Sequence, residues 1–193
     1  MPKAKQFDEA NVLQKARDVF WKKGYNGTSM DELVKATGLS RSSIYATFTD
    51  KHGLYQKTLE HYQLCQQEQI TTAVSQNING RKKIECFFKK AVDNSLNDKQ
   101  RKGCFMLNST TELANIDKTV SKTALDNMDA METMFLSWVK EGQASGDISK
   151  RFTARAIARH LFSSINGIKL VAQTKADKAT LQDILQLSLS VLD

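Results

Sequence analysis

Apolar residues recur along this chain with a helical period. Val12, Leu13, Ala16, Val19 and Phe20 fall three and four apart, predicting a first helix from about Asp8 to Lys23 that stops at Gly24. A connector at 25–28 follows. Ser29-Met30-Asp31-Glu32 then has the S-x-x-E pattern, in which two side chains satisfy the free backbone donors of a helix start. That second helix turns Met30, Leu33 and Val34 inward and ends at Gly38. Ser40 can cap a short third helix holding Ile44, Tyr45 and Phe48, and Asp50 a fourth from Lys51. Helices this short, with connectors this brief, have no private cores. They must pack on one another through Phe20, Leu33, Leu39, Ile44 and Phe48. Two helices joined by a short glycine-containing turn, here Thr37-Gly38-Leu39, make the helix-turn-helix pattern.

Beyond Lys51 the stripes lengthen. Leu54, Thr58, Tyr62 and Cys65 mark one helix, and Ile84, Phe87, Phe88 and Ala91 another. Val120, Ala124, Met128, Met131, Phe135 and Trp138 mark a third, and Ile157, Leu161, Ile165, Ile168 and Ala172 a fourth. Breaks fall at 77–80, 97–103, 115–117, 146–150 and 174–177. Asp117, Thr153 and Asp177 are suited to open helices, and Gly146 to close one. The reading is all-α, with about nine helices and no strand. It divides the chain into a helix-turn-helix domain at 1–50 and a larger helical domain at 51–193. In the last helix Leu181, Ile184, Leu185, Leu187, Leu189, Val191 and Leu192 run nearly all round. Such a helix must be covered on more than one face, within the monomer or by a second copy.

Composition sharpens this picture. The 193 residues are 40% hydrophobic and 25% charged, which excludes a disordered chain, and Pro2 is the single proline. Lysine and arginine (28) exceed aspartate and glutamate (21) by 28 − 21 = +7, which permits an anionic partner without requiring one. Residues 1–55 hold nine basic against six acidic side chains (+3), and 56–193 nineteen against fifteen (+4), so the first segment is the more basic per residue. No stretch approaches the roughly 18 apolar residues of a membrane span, and MPKAKQFDEA lacks the apolar centre of a secretory signal. Cys65, Cys86 and Cys104 are odd in number and fit a reducing compartment. Cytoplasm is the expected address, with no membrane association.

In a helix-turn-helix the second helix enters the major groove and turns its N-terminal residues to base edges. Here those residues are Ser40, Arg41, Ser42 and Ser43. Arg41 can pair with guanine, and the serine hydroxyls can reach bases or phosphates. Thr28, Ser29, Tyr45, Thr47 and Lys51 would hold phosphates and fix the register, and Lys3 and Lys5 could add contacts. Tyr45 could instead be a core residue, and Lys51 a solvated charge. The run GYNGTSMDELVKATGLSRSSIYATFTDKHGLY, residues 24–55, resembles the DNA-binding segment of the TetR family of bacterial transcription regulators. The likeness lies in Gly-aromatic, Thr-Ser opening helix two, Gly at the turn, small polar residues opening helix three, Tyr-x-x-Phe, and Asp-Lys-x-x-Leu. GCFMLNSTTELA also looks like the sixth helix of many members. The resemblance implies DNA-contacting roles for Thr28, Tyr45 and Lys51.

A second constellation is aromatic and methionine-rich: Phe87, Phe88, Phe105, Met106, Met128, Met131, Phe135, Trp138 and Phe162. Asn108, Ser109, Glu112 and Asn166 lie close to it in sequence. Ordinarily such residues are core. They also adapt to irregular apolar ligands, and helical bundles hold sites between facing helices. The resemblance implies a ligand site enclosed by helices four to eight. The expected ligand set is Phe87, Phe88, Phe105, Asn108, Met128, Met131, Phe135, Trp138, Phe162 and Asn166, and the expected effector is an apolar or aromatic small molecule. The resemblance further implies a homodimer through the last two helices, about 152–192, on a palindromic double-stranded operator.

Enzyme readings fare poorly. His52, His61 and His160 are scattered, and there is no HExxH, P-loop or G-x-S-x-G. No catalytic residue, cofactor or metal site is expected. His61 and Cys65 share a helix face but lack a third ligand, and Cys104 is more simply a buried thiol than a sensor. The sequence therefore predicts a ligand-responsive repressor. The competing reading is a helical small-molecule carrier or thiol sensor that binds DNA without selectivity.

Overall fold

The computed structural model describes residues 7–74, 78–175 and 177–193. Lys3 and Lys5, and the break positions Asn77 and Ala176, lie outside them. Among the described residues the chain is helical throughout, without a strand: α1 (Glu9–Lys23), α2 (Met30–Thr37), α3 (Arg41–Phe48), α4 (Lys51–Ala73), α5 (Gly80–Asn97), α6 (Phe105–Leu113), α7 (Lys118–Ser145), α8 (Ala154–Thr174) and α9 (Lys178–Leu189), closed by a 3-10 turn at Ser190–Leu192.

The predicted caps are in place. Asp8, Ser29, Ser40, Thr153 and Asp177 each accept a backbone N–H from the residue three further on. Asp50 accepts the Gly53 N–H (2.7 Å), and Asp117 the N–H groups of Thr119 and Val120. At Ser29 the capping box is complete, with Glu32 reaching back to the Ser29 N–H (3.0 Å). Lys23 bonds the same carboxylate. Its pKa is lowered to about 2, chiefly by the Lys23 hydrogen bond and then by Ser29. Asn79, inside a predicted break, caps α5 through the Lys82 N–H.

The chain divides into two compact units. One holds residues up to Gln66 together with Asn108–Thr123, and the other holds Gln67–Leu107 and Ala124–Asp193. In the first, Phe20, Leu33, Ile44 and Phe48 are buried as the sequence predicts, joined by Leu54, Tyr55 and Leu59 of α4. Leu39 is only half-buried. The Phe20 ring meets Tyr55 edge-on at 4.9 Å, an arrangement that suits the ring quadrupoles.

The second unit is built on Ile84, Phe88 and Val92 of α5, Phe135 and Val139 of α7, and Ile157, Leu161, Ile165 and Ile168 of α8. Leu181 and Leu192 complete it from the C-terminal end. A Cβ at Gly80 would lie 1.9 Å from the Trp138 carbonyl oxygen, so this glycine permits the close approach of α5 to α7. Of the α7 stripe only Val120 and Phe135 are fully buried, whereas residues 125–130 are exposed or half-buried. Helical spacing identifies a face but not what covers it.

Candidate DNA-binding surface and effector region

α2 ends at Gly38, whose left-handed backbone (φ +75°, ψ 5°) reverses the chain at low cost for glycine. Three residues later, at Arg41, α3 begins, its start tied by small hydroxyls. Ser40 Oγ accepts the Ser43 N–H (3.1 Å) and lies 2.9 and 2.8 Å from the Ser42 and Ser43 hydroxyls. Ser40, Arg41 and Ser42 are exposed, and Ser43 and Thr47 half-buried. Tyr45 faces solvent at 43% exposure, while Ile44 and Phe48 on the opposite side are buried. α3 thus turns one polar, small-residue face outward. Arg41 Nη2 donates to Asp31 Oδ1 of α2 (2.7 Å), which orients the guanidinium beside that face.

The flanking residues divide between surface and interior. Ser29 is exposed and caps α2. Thr28 is buried, its hydroxyl donating to the Gly24 carbonyl (2.6 Å) and its N–H to the Tyr25 carbonyl (3.3 Å). Lys51 opens α4 with its ammonium 4.4 Å from the centre of the Tyr25 ring, a cation–π contact. Partial burial lowers its pKa, and the Glu112 charge opposes that shift.

In the second unit Phe87, Phe88, Phe135 and Trp138 form one aromatic cluster. Phe87 lies 5.3 Å from Phe135 and 6.1 Å from Trp138, and Phe88 6.1 Å from Phe135. Phe88, Phe105 and Phe135 are buried. Phe87, Met131, Trp138 and Phe162 are partly buried against the core, and Met128 is exposed. Asn166 Nδ2 donates to the Phe162 carbonyl of its own helix (3.0 Å). Asn108 is half-buried and belongs to the first unit. His61 and Cys65 meet, Sγ lying 3.8 Å from Nδ1, but among the described residues no group of three or more metal-ligating side chains gathers. Among those residues no helix is long and apolar enough to cross a membrane.

Residues 12–58 match the model of the tetR family of bacterial regulatory proteins, and residues 80–187 that of the tetracyclin repressor-like C-terminal domain. The chain belongs to the TetR family. It is 30% identical to the uncharacterized HTH-type transcriptional regulator YezE of Bacillus subtilis, over the whole of both chains. It is 28% identical to the HTH-type transcriptional repressor ComR of Escherichia coli, over 95% of this chain and 87% of ComR. Solved structures share the fold. CifR, a TetR family regulator complexed with 26-base-pair operator DNA, superposes with a TM-score of 0.83 at 22% identity, covering 99% of this chain and all of CifR. Reduced E. coli NemR gives 0.85 at 15% identity, over 95% of each chain. The protein is therefore a helix-turn-helix transcriptional regulator of TetR type, and the carrier reading is not favoured.

Three groups near this TetR-type surface escape sequence reasoning. Asp31 orients Arg41 from the neighbouring helix. His52 Nε2 lies 2.5 Å from Asp117 Oδ2, joining α4 to the start of α7. Glu112 lies beside the aromatic set in sequence, but in the fold it binds the backbone of the α1–α2 connector. All three contacts join distant or separately capped segments, and no local pattern signals such pairs.

Proposed function

We propose that this TetR-type regulator is a ligand-responsive repressor, active in the cytoplasm as a homodimer on a palindromic operator and without catalytic activity. Its DNA-binding domain is 1–50, and 51–193 serves effector binding and dimerisation. The observation that carries this reading is the outward face of α3. Ser40, Arg41 and Ser42 are exposed at the N-terminal end of a helix whose opposite side is buried, and the Arg41 guanidinium pairs with Asp31. Such a face suits base edges in a major groove. Ser43 would join that readout. Ser29, Tyr45, Thr47 and Lys51 would touch phosphates, and Thr28 would hold the connector between them. That CifR, of the same fold, was solved on operator DNA supports the assignment.

The effector would be an apolar or aromatic small molecule taken up among Phe87, Met131, Trp138 and Phe162, which are only partly buried. Phe88, Phe105 and Phe135 would back the site, with Met128 at its margin and Asn166 as a polar contact. Binding there would favour a second arrangement of the dimer in which the recognition helices no longer match the operator spacing, a coupling of a few kcal/mol. Selection of bound fragments from a genomic duplex library tests the proposal. Recovered fragments should share an inverted repeat with half-sites a helical turn or more apart. Fragments without a common sequence would overturn it.

A further inference from the structure

Glu112 of α6 uses both carboxylate oxygens on a single stretch of backbone. Oε2 accepts the Tyr25 N–H (3.0 Å), while Oε1 accepts the Asn26 N–H (2.9 Å) and Asn26 Nδ2 (3.0 Å). Room for it comes from Gly24. A Cβ there would lie 2.8 Å from Oε2, and the Gly24 φ of +75° is one that other residues resist.

The gripped connector supports two groups assigned above to DNA binding. The Gly24 carbonyl accepts the Thr28 hydroxyl and the Tyr25 carbonyl the Thr28 N–H, so the entry into α2 hangs on these two residues. The Tyr25 ring lies under the Lys51 ammonium, and the Glu112 charge acts on that same lysine. Bonds from a carboxylate to N–H donors are stronger than neutral ones, and the part-buried Tyr25 N–H would lose its acceptor with the carboxylate. Three such bonds fix the connector more firmly than its own sequence could.

We propose that Glu112 is a positioning residue for DNA binding: it holds the Tyr25–Asn26 backbone so that Lys51 and the start of α2 are set for phosphate contact. The proposal rests on the DNA-binding reading given above. It assigns to α6 a direct structural task in the DNA-binding head, separate from any effector.

The test uses the full-length protein, the tightest duplex from genomic selection, and a random duplex of equal length as competitor. Glu112→Gln keeps the size but loses the charge and turns an NH2 group toward the donors. Affinity for the selected duplex should fall about tenfold or more, and affinity for the random duplex with it, because phosphate contacts carry no sequence information. Hydrogen exchange at the Tyr25 and Asn26 amides should quicken by a similar factor, with α8 amides unchanged as the internal control. Lys51→Ala supplies the readout that a merely structural role would not move. Its loss of affinity should be clearly smaller in the Glu112→Gln background than in wild type, because the two residues act together. Should Glu112→Gln fail to fold, Asn26→Ala, which removes only the side-chain donor, carries the same cycle with a loss of about threefold. Unchanged affinity for the selected duplex, or strict additivity with Lys51→Ala, overturns the proposal alone. A wild-type protein that does not prefer its selected duplex overturns the DNA-binding reading and this proposal with it, whatever the exchange shows.

Discussion

Arg41 and Lys51 illustrate two kinds of basic residue on one surface. Arg41 is exposed at the start of α3, its guanidinium held 2.7 Å from Asp31, where a planar donor fork can meet a guanine edge. Lys51 is half-buried, packed on Tyr25, and presents a point charge suited to phosphate. Arg41→Ala should cost about 1–3 kcal/mol on the preferred site and relax the preference, while Lys51→Ala should weaken every duplex alike and reduce the salt dependence by about one charge. Parallel titrations on matched and scrambled duplexes distinguish these outcomes, and equal losses of preference in both variants would contradict the division. The sequence alone reveals Arg41 through its place after a cap and a glycine turn. It does not reveal Asp31 or Glu112, because their partners are set by how the helices pack. Tyr45 and Thr28 show the same boundary. Both lie in the family-like segment, yet packing leaves one in solvent and buries the other.

Among elements, the joint between α4 and α7 is held by one acidic side chain. Asp117 caps α7 through the Thr119 and Val120 N–H groups and meets His52 of α4 at 2.5 Å. Burial alone would raise its pKa, but hydrogen bonds from Val120, His52 and Thr119 outweigh that and hold the carboxyl below its ordinary 3.8. A carboxyl depressed on folding adds stability that is fully present above its unfolded pKa and is lost as pH falls through the folded value. Asp117→Asn should therefore lower the stability by a margin that is constant near neutrality and shrinks below about pH 4. Denaturant midpoints of the two proteins across pH 3–7 check this, and a margin that widens toward acid would contradict it. Caps and glycine stops were the most legible elements, since each depends on residues within one turn. The α7 stripe was legible only as a face. Its middle lies open at residues 125–130, and local spacing alone does not say which part of a face is covered.

At the scale of the whole molecule, two large apolar side chains on the last helices face outward. Leu170 of α8 is 56% exposed and Leu187 of α9 is 73% exposed, although both helices pack well on their inner sides. On the uncovered side of α9 Leu187 stands among Lys178, Gln182, Asp183 and Gln186, and with Leu170 it would suit a partner supplied by a second copy. Leu187→Glu should weaken self-association by about 2 kcal/mol or more and shift the mass toward monomer in light scattering. An unchanged mass would remove α9 from the interface. The sequence pattern predicts cover on more than one face of α9, whereas in the single chain its polar side is open.

On the proposed function, this TetR-type protein reads DNA sequence through α3. The most direct measurement is a competition titration of the full-length protein on duplex flanking its own gene, against random duplex, at two salt concentrations, with Arg41→Ala alongside. Selective binding should exceed random binding by about 10³ or more at both salts and fall sharply in the variant. Equal binding of both duplexes, lost together as salt rises and indifferent to Arg41, would contradict it.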